Sequence, residues 1–167
     1  MEEKNNIEFV REINMKYTQK TTNYCVGCSF GSALHFFGYK HVASGLFSKR
    51  KKLSILPGDT QMSDVLKYLK NRFVNDANVG IEPWNRSSSK LDLDNLPVNT
   101  IALLIPLAED GGVQHAIAVV HHKKHGMLVF GSNDDHPMKY SKNAFDFCCV
   151  AYNNIQQAII ITIRKKN

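Results

Sequence analysis

The chain has 167 residues, 43% of them apolar and none in an apolar run near the roughly 18 needed to cross a bilayer. That length is enough for one substantial core and too short for two independently stable domains, so residues 1–167 are read as one domain, with 1–18 and 164–167 peripheral. The net charge is +6, concentrated in Lys49-Arg50-Lys51-Lys52 and Arg164-Lys165-Lys166, and the polar opening Met1-Glu2-Glu3-Lys4-Asn5-Asn6 has none of the apolar core of a secretory signal; a cytoplasmic location with no membrane partner is expected.

Residues 1–22 carry little periodicity, and the first clear element is a helix over Cys25–Phe37. There Cys28, Phe30, Ala33, Leu34 and Phe37 recur at three- and four-residue spacing and Gly38 stands where a helix-ending glycine belongs. A polar, basic loop follows. The turn Pro57-Gly58-Asp59-Thr60 then leads into a second helix, Met62–Phe73, with Val65, Leu66, Leu69 and Phe73 as its apolar stripe and Thr60 or Ser63 as its cap. Asn75–Lys90, rich in Asn, Gly, Pro and Ser and holding the single tryptophan Trp84, reads as an irregular surface segment. The second half changes to short β-rich runs, 100–105, 116–120, 127–130 and 158–163, separated by turn signals such as Glu109-Asp110-Gly111-Gly112 and Lys123-Lys124-His125-Gly126. A third helix, Ser141–Tyr152 with Ser141 as cap, interrupts them. Helices first and an antiparallel sheet afterwards make an α+β layout.

The four cysteines form a CxxC pair, Cys25 and Cys28, and an adjacent pair, Cys148 and Cys149. In a chain of this kind they read as free thiols rather than a disulfide framework, and a zinc site is disfavoured because its ligands come as two spaced pairs; no metal and no cofactor are expected. The Lys49–Lys52 run and the C-terminal one can meet nucleic acid or an acidic partner. The reading as a solvated loop and a frayed tail is preferred, since neither run is interleaved with aromatic residues as a stacking platform is. His121, His122, His125 and His136 surround a Lys-rich turn and read as solvent-exposed. If the strand continues, His121 and His122 point to opposite faces.

A thiol becomes a nucleophile near neutral pH when a helix N-terminus and a neighbouring imidazolium lower its pKa. Cys25 stands at the expected start of a helix. His115 opens a strand after a Gly-Gly turn, and the strand 127–130 delivers Ser132-Asn133-Asp134-Asp135, where a carboxylate or amide can hold the far imidazole nitrogen. A carboxylate stabilises the imidazolium more than an amide does, which favours Asp134 slightly with Asn133 close behind; a carboxylate past a strand end is most often a turn residue, which puts Asp135 third.

At these residues the chain resembles a family. Gln19-Lys20-Thr21-Thr22-Asn23-Tyr24-Cys25, with the apolar helix ending Phe36-Phe37-Gly38, looks like the start of peptidases that process double-glycine leaders and of their papain-like relatives. Gln114-His115-Ala116-Ile117-Ala118-Val119-Val120 is similar to their histidine strand, and Phe130-Gly131-Ser132-Asn133-Asp134 to the strand end that bears the orienting residue. The resemblance implies a papain-like fold, N-terminal helices on a mostly antiparallel sheet, and a catalytic set of Cys25, His115 and Asp134 or Asn133, with Gln19 donating to the oxyanion. It departs from the family at Val26, where a glycine is usual, and at Asn133-Asp134-Asp135, where Asp-Pro is usual. Cys28 is a competing nucleophile, because papain reacts through the second cysteine of a CxxC; aligned that way it has Thr22 in the place of the glutamine.

The function expected is hydrolysis of a peptide or isopeptide bond in a polypeptide substrate through a Cys25 acyl-enzyme with His115 as base. An acyltransferase resolves the same acyl-enzyme with an amine, and a non-catalytic binding domain uses the same scaffold without it. Thiol–disulfide exchange through Cys25-Val26-Gly27-Cys28 ranks lower, since the 24 residues before Cys25 are too few and too polar for the strands that precede such a motif.

Overall fold

The computed structural model describes residues 7–18, 24–51, 53, 60–85, 87, 89–106, 116–131, 134–148, 150 and 155–164. Helices come first. A π-helical turn, Val26–Phe30, runs without a break into α1 (Gly31–Phe36), followed by α2 (Lys40–Ser48) and α3 (Thr60–Arg72). The strands β1 (Val79–Asn85), β2 (Thr100–Pro106), β3 (Ile117–His122), β4 (Gly126–Phe130), β5 (Met138–Lys139) and β6 (Ile155–Ile163) form one sheet in the order β1-β6-β2-β3-β4-β5. Every pairing is antiparallel, and α4 (Lys142–Phe147) lies between β5 and β6 in sequence. The class is α+β. Among the described residues no helix is long and apolar enough to cross a membrane.

Both faces of the sheet are covered, which explains why its strands read as apolar runs rather than as alternating ones. Ile101, Leu103, Ala118, Val120, Leu128, Phe130, Ile159 and Ile161 pack with the buried side chains of the π-turn, α1, α2 and α3. Ala102, Leu104, Ile117, Val119, Val129 and Ala158 face the other way, against Leu93, Leu96, Ala144 and Phe145. α1 ends as its glycine predicts. Gly38 has φ +93°, its N–H donates to His35 O (2.9 Å), and the Tyr39 N–H reaches back to Leu34 O (3.0 Å).

Four expectations change. The loop after Gly38 is α2, whose Val42, Ala43 and Leu46 form a buried face; Ser44, Gly45 and the flanking basic residues mask that pattern in the sequence. The irregular segment around Trp84 contains β1, an edge strand that tolerates Gly80 and Pro83 because it pairs with β6 alone. The third helix stops at Phe147 instead of continuing to Tyr152, although Ser141 caps it as read, accepting from the Ala144 N–H at 3.1 Å. The segment before the first helix is also less peripheral than its weak periodicity suggests: Val10, Ile13 and Met15 are buried, and Phe9 bridges to Met138.

The seam between α2 and α3 depends on Gly45. A Cβ there would run into the Tyr68 hydroxyl, which donates to Val42 O at 2.8 Å. Gly45→Ala is expected to destabilise the protein by about 1–3 kcal/mol through overpacking. In a denaturant double-mutant cycle the Gly45→Ala, Tyr68→Phe pair should cost less than the sum of the singles, because removing the hydroxyl relieves the clash; strict additivity would show that the contact does not limit the site.

Candidate functional site

The geometry around Cys25 is set by one turn of helix. Cys25 and Ser29, four residues apart, share a face, and that face meets the peptide of Ala116, just before β3. The backbone N–H groups of Ala116, Cys25 and Val26 act on the Cys25 thiol in the direction that favours its thiolate. The Ser29 hydroxyl lies 2.9 Å from Ala116 O and 2.6 Å from Cys25 O, so its single proton serves both carbonyls. Ser29, in the π-turn, thus ties the helix to the residue just before β3. The π-turn itself is a wider helical turn, a distortion concentrated at functional sites in proteins generally, and all five of its residues are buried.

Electrostatically the thiol is not the depressed one that a reactive cysteine suggests. Burial pushes the Cys25 pKa up, and the three N–H donors only partly offset it. Cys28 has no solvent exposure, and its thiol is pushed from 9.0 up to about 11 by burial and by the neighbouring Cys25, with Arg50 acting in the opposite direction. Neither is in a disulfide. Of the two, Cys25 has the backbone donors that suit a thiolate and Cys28 lacks them.

Among the described residues, the loop after β4 is tied to the N-terminal segment. Met15 N–H donates to Asp135 O (2.8 Å), Val10 N–H to Pro137 O (2.9 Å), and His136 Nδ1 lies 2.8 Å from Ile13 O. Two residues beyond Met15, the Ser32 hydroxyl holds both the N–H and the C=O of Tyr17 at 2.9 Å, which fixes this segment against α1. Asp134 is half-buried in that loop; burial and Asp135 push its carboxyl above the usual range, against a smaller pull from His136. Gly131 precedes it with no side chain because Cys148 Sγ occupies the space, 2.9 Å from where a Cβ would sit.

Of the residues expected in the site, Cys25 and Asp134 are described, while His115, Gln19 and Asn133 lie outside the described residues. The part of the site that the sequence reading missed is Ser29 and the Ala116 peptide. The signal was a serine four residues after the candidate nucleophile, inside an otherwise apolar helix. The histidines expected in solvent are half-buried instead: His121 Nδ1 lies 2.6 Å from Leu96 O on one face, and His122 packs on Phe36 (ring centroids 4.7 Å apart) on the other. Among the described residues no cluster of His, Cys, Asp or Glu can hold a metal ion. A cleft of about 360 Å³, walled by Phe36, Phe37, Tyr39, Asp76 and Arg164 among others, sits at the opposite end of the helix from Cys25. Of the basic run, Lys52 lies outside the described residues. Lys49 lies 6.0 Å from the Tyr68 ring and Arg50 is folded onto Tyr24 and Phe47, so the run is interleaved with aromatics in space though not in sequence. Compared with known proteins, the chain matches no family model, and no curated protein matches it significantly.

Ser29→Ala should cost about 1–3 kcal/mol, the desolvation penalty of buried carbonyls left without a donor. It should also raise the hydrogen-exchange rate of the Ile117 amide, which belongs to the same peptide unit as the carbonyl that Ser29 holds, and an unchanged rate would mean that the hydroxyl does not hold the seam. The raised Cys28 thiol gives a second expectation. It stays protonated in the fold after the unfolded chain has begun to ionise, so its contribution to stability is complete below pH 9 and is lost as pH rises towards 11. Melting temperatures measured from pH 8 to 11 should fall less steeply in Cys28→Ala than in the parent.

Proposed function

We propose that the protein is a papain-like cysteine peptidase acting through Cys25. The observation that carries the reading is the Ser29 hydroxyl held between Cys25 O and Ala116 O, because it brings the Cys25 turn to Ala116, which directly follows His115 in the chain. In this reading the Cys25 sulfur attacks the substrate carbonyl carbon, and the oxyanion is held by the Cys25 N–H and the Gln19 side chain. His115 takes the thiol proton and gives it to the leaving amine, and water releases the acyl-enzyme. The raised thiol pKa is compatible with this scheme. A buried thiol is neutral by itself, and an adjacent imidazolium offsets the desolvation by forming an ion pair with the thiolate.

The orienting residue follows β4 in the chain. The raised carboxyl of Asp134, a poor permanent counter-charge, supports Asn133 over Asp134. The neutral thiol is also the one observation that favours a non-catalytic binding domain, in which Cys25 is a core residue.

A cysteine-directed peptide electrophile should modify Cys25 and leave Cys28 unmodified, and hydrolysis of a peptide library should disappear in Cys25→Ala. Asn133→Ala should lower kcat/KM at least about tenfold, well inside the ~10⁴ lost when a triad carboxylate is altered, with Asp134→Ala closer to the parent. Equal labelling of Cys25 and Cys28, or hydrolysis that survives Cys25→Ala, would rule the reading out; the reverse order of the two loop variants would restore Asp134.

A further inference from the structure

Arg50 stands in the turn after α2, with its backbone pressed against the first turn of the Cys25 helix. A Cβ on Gly27 would lie 2.9 Å from Arg50 Cβ and 3.6 Å from its Cα, so the absence of a side chain at Gly27 is what admits the arginine. From there the guanidinium lies 4.4 Å from the centroid of the Phe47 ring and 5.7 Å from that of Tyr24, the residue preceding Cys25. One of its donors, Nη1, is used at Phe47 O (3.1 Å). A guanidinium carries five N–H donors in a fixed fork suited to carboxylates, and among the described residues no aspartate or glutamate forms an ion pair with this one. Aromatic stacking holds the fork in place while leaving its charge uncompensated.

We infer that Arg50 is a specificity determinant beside the nucleophile, which takes a carboxylate of the polypeptide substrate, either an acidic side chain or a free C-terminus. Gly27, which Arg50 covers, stands two residues beyond Cys25 and so on a different side of the helical turn. The guanidinium is therefore not over the reacting sulfur, and it meets a substrate residue near the scissile bond, not the carbonyl under attack. One extended residue advances the chain by about 3.4 Å, so a carboxylate one to three residues away spans such an offset. The identity of the ligand as a peptide rests on the peptidase reading; the carboxylate chemistry does not.

The test separates the two. Fluorescent peptides in which a single Glu is scanned against Gln, each made with a C-terminal acid and with an amide, are bound to the Cys25→Ala protein. The matching peptide electrophiles are used to label Cys25 in the parent. At one or more positions the Glu peptide, or the C-terminal acid, should bind about tenfold or more tightly than its amide counterpart, the discrimination given by a charge-assisted fork. Arg50→Gln should abolish the preference, Arg50→Lys should retain part of it, and Arg50→Glu should invert it towards Lys-containing peptides. A purely structural role in capping α2 does not produce that inversion. Indistinguishable Glu and Gln peptides, or a preference that survives Arg50→Glu, would overturn the inference. So would binding of a single-stranded oligonucleotide in place of the peptides, lost in Arg50→Glu, because the basic run would then be a nucleic-acid surface. An Arg50-dependent acid preference with no labelling of Cys25 upholds the carboxylate site and rejects the peptidase. Labelling of Cys25 with no acid preference does the reverse.

Discussion

The bridge that the Ser29 hydroxyl makes between two backbone carbonyls is the constraint on which the rest of this structure depends. It joins Cys25 O, in the first turn of the helix, to Ala116 O, just before β3, at 2.6 and 2.9 Å. The arrangement sets the helix against the sheet. Packing of apolar side chains alone tolerates small slips, whereas a directed hydrogen bond to one backbone carbonyl is less forgiving. The same contact satisfies a carbonyl that would otherwise be costly to bury. A stability element and the candidate reactive residue are therefore joined through one hydroxyl, and a substitution there acts on both.

Around this seam, glycines and aromatic rings decide how near neighbouring elements come. Gly27 admits Arg50 to the helix, Gly31 leaves room for the Tyr17 ring, and Gly131 gives its space to Cys148. Tyr17 stacks on Phe47 at 4.3 Å, so the N-terminal segment, the Cys25 helix and α2 converge on one aromatic cluster. That segment also bonds the loop carrying Asp134 and Asp135. Loop, helix and strand are linked by the stretch of chain with the least periodic sequence.

Much of the architecture was legible in the residues, for identifiable physical reasons. The strands announce themselves because a sheet buried on both faces is apolar at every position, and α1 because its stripe ends in a glycine that can take φ +93°. What stayed hidden lacks such a local signal. α2 has a narrow buried face of Val42, Ala43 and Leu46 within a basic, glycine-containing stretch, and β1 is held by pairing with β6 despite Gly80 and Pro83. At the site, Cys25 was legible from its place at a helix start, but its protonation was not. A helix N-terminus argues for a low thiol pKa, and only the depth of burial shows that desolvation outweighs it. Ser29 looked like a polar interruption until the Ala116 carbonyl was seen opposite it.

The position of β6 has a consequence for how the chain is made. β6 lies between β1 and β2, yet it follows all five other strands in sequence. While a ribosome is still adding residues 155–163, β1 has no partner at all and β2 is paired on one side only, by β3. The nascent protein therefore exposes an unzipped gap in the middle of its sheet, bordered by Ile101, Leu103 and Ile81, until that segment clears the exit tunnel. Such apolar edges recruit other strands as readily as their own. Closing that gap is the last pairing the sheet can make, so β6 acts as the strand that seals it.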